Sequence, residues 1–373
     1  MTLAALFIVL VAHAFAEQST TDSVGEQLAA LAKRGIEIRD NFNADLKKAG
    51  QDMPLVSAAN DKYRSDAKAW SQRAAALVAA HPAEPAALDV ILAMSEIYYV
   101  DDRLVAILRE HHFASPKVLR MLNGFSQDRP GARRQFAEDV AEKHPDRAVR
   151  GKASLALGRM DRIYLIDGLK DRPSFGGRLG TPDELRVRAR RYLERVVKDS
   201  DDVQSDDEGA TLGELASDEL AGLDNIGRLE VGKLAPDIEG EDIGGKPLKL
   251  TARSGKVTLL VFWGTWCGPC MRLVPHEAAL AEKYQGRAFQ LYGVNGGDER
   301  ETARKATIEK RMTWPNFYGT RQRGGLAAVW NVDAWPMVYV IDADGIIRYK
   351  GHGDEMEAAI EKALADAEKR PAT

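Results

Sequence analysis

Val257-Thr258-Leu259-Leu260-Val261-Phe262-Trp263, then Gly264-Thr265, then Trp266-Cys267-Gly268-Pro269-Cys270, is the stretch that decides how this chain reads. Seven β-rich residues in a row, all apolar but Thr258, predict a strand buried on both faces of a sheet. The residues from Met271 to Tyr284 have helical character. Proline cannot sit in a helix interior, but in a first turn its missing N–H removes nothing. Cys267 therefore falls at a helix start and Cys270 inside its first turn. They are the only two cysteines among 373 residues.

Helix starts carry unpaired backbone N–H groups and a partial positive charge. Both favour a thiolate over a thiol, which marks Cys267, the more exposed sulfur, as the expected nucleophile. Cys270, one turn on, can resolve a mixed disulfide. Zinc would need four ligands, yet no second cysteine pair exists and only His276 lies near. A purely structural disulfide across so short a loop constrains the unfolded chain little. The pair reads as a dithiol that cycles to a disulfide.

Other residues accompany this pair. They are Gly232-Lys233-Leu234-Ala235-Pro236-Asp237, Gly244-Gly245-Lys246-Pro247-Leu248, Gly255-Lys256-Val257, Pro275, Trp335-Pro336 and Asp342-Ala343-Asp344-Gly345. With Trp266–Cys270 they make residues 231–373 resemble the TlpA/ResA-type extracytoplasmic thiol–disulfide oxidoreductases of the thioredoxin-like superfamily. The resemblance implies a thioredoxin-like α/β domain, a mixed sheet flanked by helices, with Cys267 and Cys270 catalytic and Gly268 and Pro269 as the active-site loop. It further implies a cis Trp335-Pro336 bond that, with Trp266, borders a substrate groove. Protein disulfides as substrates and an upstream thiol as electron donor follow from it. No cofactor or metal is expected beyond the Cys267–Cys270 pair.

Two departures stand out. Thioredoxin carries a buried Asp six residues before its first cysteine, where this chain has Val261, and ResA-type proteins carry a Glu three residues after the second, where it has Leu273. Glu277 and His276 lie further along the helix, facing undecided. Gly268-Pro269 is the dipeptide of reducing thioredoxins, with potentials of about −270 mV against about −120 mV for the oxidant DsbA. Reduction of substrate disulfides is the expected direction. A peroxiredoxin is disfavoured, because its reactive cysteine follows a Pro and Thr in a different loop.

The flanking sequence sets the domain plan. Residues 1–16, an apolar run ending in Ala14-Phe15-Ala16, read as a secretory signal, although no Lys or Arg precedes Lys33. An exported, periplasmic or otherwise extracytoplasmic protein is expected, touching a membrane only if that segment stays uncleaved. Net charge of −4 gives no reason to expect nucleic acid.

Residues 17–198 read as an all-α domain from 23 onward, with helices over 61–80, 85–109 and 133–143 and breaks at His81-Pro82, Ser115-Pro116, Pro130-Gly131 and His144-Pro145. Two helices ending in His-Pro suggest stacked hairpins, loosely like tetratricopeptide repeats. Residues 199–230 read as a solvated acidic linker and a short helix over 211–223. Val203 and Gln204 break any calcium-loop pattern there. The 293–298 loop does not match G-x-G-x-x-G, and Asp298 reads as a helix N-cap. A helical scaffold with an accessory redox domain is the alternative reading of the whole chain.

Overall fold

The computed structural model describes residues 23–50, 52–97, 100–122, 131–168, 180–206, 210–319 and 325–369. The expected signal segment, 1–16, lies outside them. The chain divides into two compact units, Met1–Ala156 and Leu157–Thr373.

The first unit is helical: α1 (Val24–Ala49), α2 (Met53–Ala80), α3 (Pro85–Ile97), α4 (Asp102–His111), α5 (Ala132–Lys143) and the start of α6 (Arg147–Ile163). Local chemistry starts these helices. Ser23 and Glu26 form a capping box, and Asp52 accepts the Leu55 N–H at 3.1 Å. The expected single helix over 85–109 is two helices, because Asp101 accepts the N–H groups of Arg103 and Leu104 at 3.0 Å and starts a new one. The His-Pro breaks do end helices, at Ala80 and Lys143. α1 packs on α2 and α3. Trp70 donates its indole N–H to Leu31 O at 2.9 Å, and a Cβ on Gly35 would lie 2.5 Å from that ring, so only glycine lets α1 and α2 approach this closely.

The second unit contains the end of α6, α7 (Pro182–Asp199), α8 (Leu212–Asn225) and then the α/β part. β1 (Ile238–Glu241) and β2 (Pro247–Leu250) pair as a hairpin. β3 (Val257–Trp263), β4 (Phe289–Asn295), β5 (Asn316–Tyr318), β6 (Met337–Ile341) and β7 (Ile347–Gly351) form one mixed sheet in the order β5-β4-β3-β6-β7. β4 runs parallel to β3 and β5, while β6 is antiparallel to β3 and β7. The helices are α9 (Gly268–Lys283), α10 (Arg300–Glu309), α11 (Gly325–Val329) and α12 (Met356–Glu368). This is the thioredoxin-like fold. β3 is central and wholly buried; Val257, Leu259, Val261 and Trp263 enter one core and Leu260 and Phe262 the other. That period-two split is why an unbroken apolar run was required.

The expected boundary near 199–230 needs correction. Residues 199–206 are solvated as expected, with Asp199, Asp201, Asp202, Gln204 and Asp206 exposed, but they are not a free linker. Ser200 is buried, Leu212 N bonds to Val203 O at 2.8 Å and Ser205 N to Ala210 O at 2.9 Å, so the stretch is a tight connection between the packed helices α7 and α8. Nor does the compact unit begin at 231. Buried Glu219 of α8 accepts from Arg159 at 2.8 Å and from Arg162 at 2.6 Å. Arg162 also donates to Asn331 Oδ1, and Asn331 Nδ2 donates to Gly222 O at 3.0 Å. Asn225 Nδ2 reaches Val329 O at 2.9 Å. A Cβ on Gly222 would sit 2.3 Å from Ala328 O, so α8 and α11 touch backbone to backbone. The helices from 157 to 225 are part of the redox-bearing unit.

Candidate active site

The parallel pairing of β3 with β4 brings the turn after Trp263 beside the turn after Asn295. Two glycines make this possible. A Cβ on Gly293 would overlap Asn316 Oδ1, which accepts the Trp263 indole N–H at 2.8 Å; a Cβ on Gly264 would lie 2.4 Å from Trp266 Nε1. Trp263 is thus core, with its one polar atom satisfied.

Asp298 does not cap α10. That N-cap is Glu299, whose side chain makes no capping bond. The buried Asp298 carboxylate instead accepts Thr265 N at 2.8 Å, Thr265 Oγ1 at 2.5 Å and Asn295 Nδ2 at 2.6 Å. Tyr318 donates its hydroxyl to Asp298 O at 3.1 Å. The segment two residues ahead of Cys267 is therefore pinned from across the sheet. A capping reading was the natural one from an Asp ahead of a helix. Only the β3–β4 register places residue 298 against 265.

Cys267 is the N-cap of α9, and its sulfur accepts the Cys270 N–H at 3.1 Å. The two sulfurs form a disulfide, with Cα atoms 5.3 Å apart. Cys267 is 5% exposed and Cys270 1%. The sulfur that caps the helix stands among its unpaired N–H groups and at the positive end of its dipole, a setting that favours a thiolate over a thiol. Pro269 occupies the first turn, where its missing N–H costs nothing.

Trp266 is 42% exposed, donates its indole N–H to Gly296 O at 3.0 Å, and meets Trp335 edge-to-face at 5.2 Å between ring centres. The Trp335-Pro336 bond is cis. Phe262 pairs with Met337, so Pro336 stands just beyond the last β3–β6 rung, level with the end of β3. His352 Nδ1 lies 2.7 Å from Pro336 O. Cys267, Gly268, Pro269, Cys270, Trp266, Trp335 and Pro336 thus belong to one end of the sheet.

The two residues left undecided by sequence face opposite ways. His276 is exposed, with Nε2 3.7 Å from Glu357. Glu277 is 3% exposed and shares the buried face of α9 with Cys270, Val274 and Leu280. Burial pushes its carboxyl up to about 8. Seven residues at ~1.5 Å rise separate Cys270 from Glu277 by about 10 Å between Cα atoms, and burial alone, with no hydrogen bond, shifts the Glu277 carboxyl. Glu277 is a neutral carboxyl in the core near pH 7, not a direct proton partner of Cys270. No cluster of His, Cys, Asp and Glu suited to a metal occurs among the described residues, and none of their helices is long and apolar enough to cross a membrane.

Residues 231–350 match the model of the AhpC/TSA family. The chain is 30% identical over 118 residues to the thiol–disulfide oxidoreductase ResA of Geobacillus thermodenitrificans, covering 32% of this chain and 67% of that one. It is 29% identical over 138 residues to ResA of Bacillus thuringiensis subsp. konkukian, covering 37% and 78%. Among solved structures it is similar to the thioredoxin domain of a thiol–disulfide oxidoreductase from Bacteroides vulgatus, at 26% identity, a TM-score of 0.33, and coverage of 36% of this chain and 98% of that one.

Proposed function

Because this chain belongs to the ResA-type thiol–disulfide oxidoreductases of the thioredoxin-like superfamily, we propose that it reduces protein disulfides through a Cys267–Cys270 dithiol/disulfide cycle. The observation that carries the reading is the sulfur of Cys267 in the N-cap position, accepting the Cys270 N–H at 3.1 Å. The Cys267 thiolate attacks one sulfur of the substrate; that disulfide breaks and one substrate thiolate leaves. Cys270, deprotonated, then attacks Cys267 Sγ, forms the internal disulfide and releases the second substrate thiolate. Two electrons pass to the substrate, and its thiolates take up two protons. An upstream dithiol donor, oxidised in turn, restores the pair.

In this reading Trp266, Trp335 and Pro336 border the groove that receives the extended substrate chain, and Gly268 and Pro269 shape the loop between the sulfurs. The setting is extracytoplasmic; the apolar run ahead of Ala14-Phe15-Ala16 supports it. The helices of the first unit are read as serving substrates or partners.

Equilibrating the full chain with defined thiol–disulfide buffers tests the direction. The expected midpoint is near the reducing end, about −270 mV, whereas one near about −120 mV makes the protein an oxidant.

A further inference from the structure

Arg272 is exposed, and among the described residues no hydrogen bond, ion pair or ring contact holds it. Its neighbours on α9 differ: His276 lies beside Glu357, and Lys283 pairs with Glu357 and Glu361. Arg272 is also not pointing away from the chemistry. A Cβ built on Gly268 would lie 3.5 Å from Arg272 Nη1, so the guanidinium folds back one turn over the residue that follows Cys267. Consecutive Cα atoms are ~3.8 Å apart, which puts the charge within about 9 Å of the Cys267 Cα. The adjoining aromatic surface of Trp266 is uncharged, and the buried Asp298 carboxylate is already bonded to Thr265 and Asn295.

We propose that Arg272 is a specificity-determining residue, whose unpaired guanidinium beside Cys267 favours disulfides flanked by carboxylates over those flanked by cations. This rests on the reading of Cys267 as the attacking sulfur. A guanidinium suits the task, being permanently charged and able to bind a carboxylate through two N–H groups. Its lack of a polar partner among the described residues means that changing it removes no hydrogen bond or ion pair from the fold. The charge also favours the Cys267 thiolate, but that effect is common to every substrate and cancels in a ratio of rates.

The test uses the reduced full-length protein and two small disulfides, oxidised glutathione, which carries carboxylates, and cystamine, which carries ammonium groups. The ratio of their second-order rate constants is measured at low salt. Coulomb attraction at this separation, discounted for exposure to water, predicts that Arg272→Gln lowers the glutathione-to-cystamine ratio about threefold and Arg272→Glu about tenfold. Arg272→Lys retains most of the preference. Half-molar salt compresses the wild-type ratio towards that of Arg272→Gln, since exposed charges are screened. A ratio that stays the same across Gln, Glu and Lys variants overturns the proposal while leaving the redox cycle intact. Failure of the wild-type dithiol to react with either disulfide overturns the cycle itself, and the proposal with it.

Discussion

A fragment of residues 231–373 is expected to melt about 10–20 °C below a fragment of residues 147–373, although both contain every strand of the sheet and both cysteines. The first lacks α8, whose Gly222 O and Asn225 Nδ2 bond to Asn331 and to Val329 O. It also lacks Arg162, which bonds to Asn331 Oδ1, and Leu229, which is buried in the core with Trp330, Ile238 and Phe262. Stranding buried polar groups costs about 1–3 kcal/mol each, and exposing the face of α11 that α8 covers adds to that. Against a total stability of about 5–15 kcal/mol the loss is severe. Thermal unfolding of the two fragments checks it. Equal melting temperatures would show that the helices from 157 to 225 are a separable addition.

Replacing Glu277 by Gln is expected to remove most of the fall in stability between pH 5 and 8. The folded carboxyl is raised to about 8 from an ordinary value of 4.5 by burial alone. Between those values the native state holds a proton that the unfolded state has released. Stability therefore falls as pH rises through this window, and it levels off once the native carboxyl also ionises. A shift of this size corresponds to about 5 kcal/mol across the window. Glutamine resembles the neutral acid in shape and does not titrate. Urea unfolding of the full chain at a series of pH values gives the slopes, and the comparison lies in the slopes rather than in absolute stability. Parallel slopes for wild type and variant would mean that Glu277 is ionised in the native protein.

What could be read without coordinates follows how far apart in sequence the interacting groups lie. β3 and the helix start at Cys267 each rest on a few adjacent residues. Their outlines were legible in residue order alone. The resemblance of residues 231–373 to the ResA-type proteins supplied the cis bond at Pro336. β5 escaped notice, because Asn316-Phe317-Tyr318 is too short to show a period. The role of Asp298 escaped because its partner, Thr265, is 33 positions earlier and is met only through the parallel β3–β4 register. The unit boundary was misplaced for the same reason. Asp199, Asp201 and Asp202 look like solvated linker, and nothing local reveals that Arg162 and Asn331 meet across 169 positions. The facing of Glu277 needed the whole of α9, where it recurs on the buried side seven residues after Cys270.

The central claim is that Cys267 attacks and Cys270 resolves. The measurement closest to it is the intact mass of full-length Cys270→Ser and Cys267→Ser proteins after exposure to oxidised glutathione at neutral pH. The account predicts a stable single adduct on Cys267 in the first variant and, over the same interval, almost none in the second, whose remaining sulfur is 1% exposed. Equal labelling of the two variants, or labelling of Cys270 alone, would contradict it.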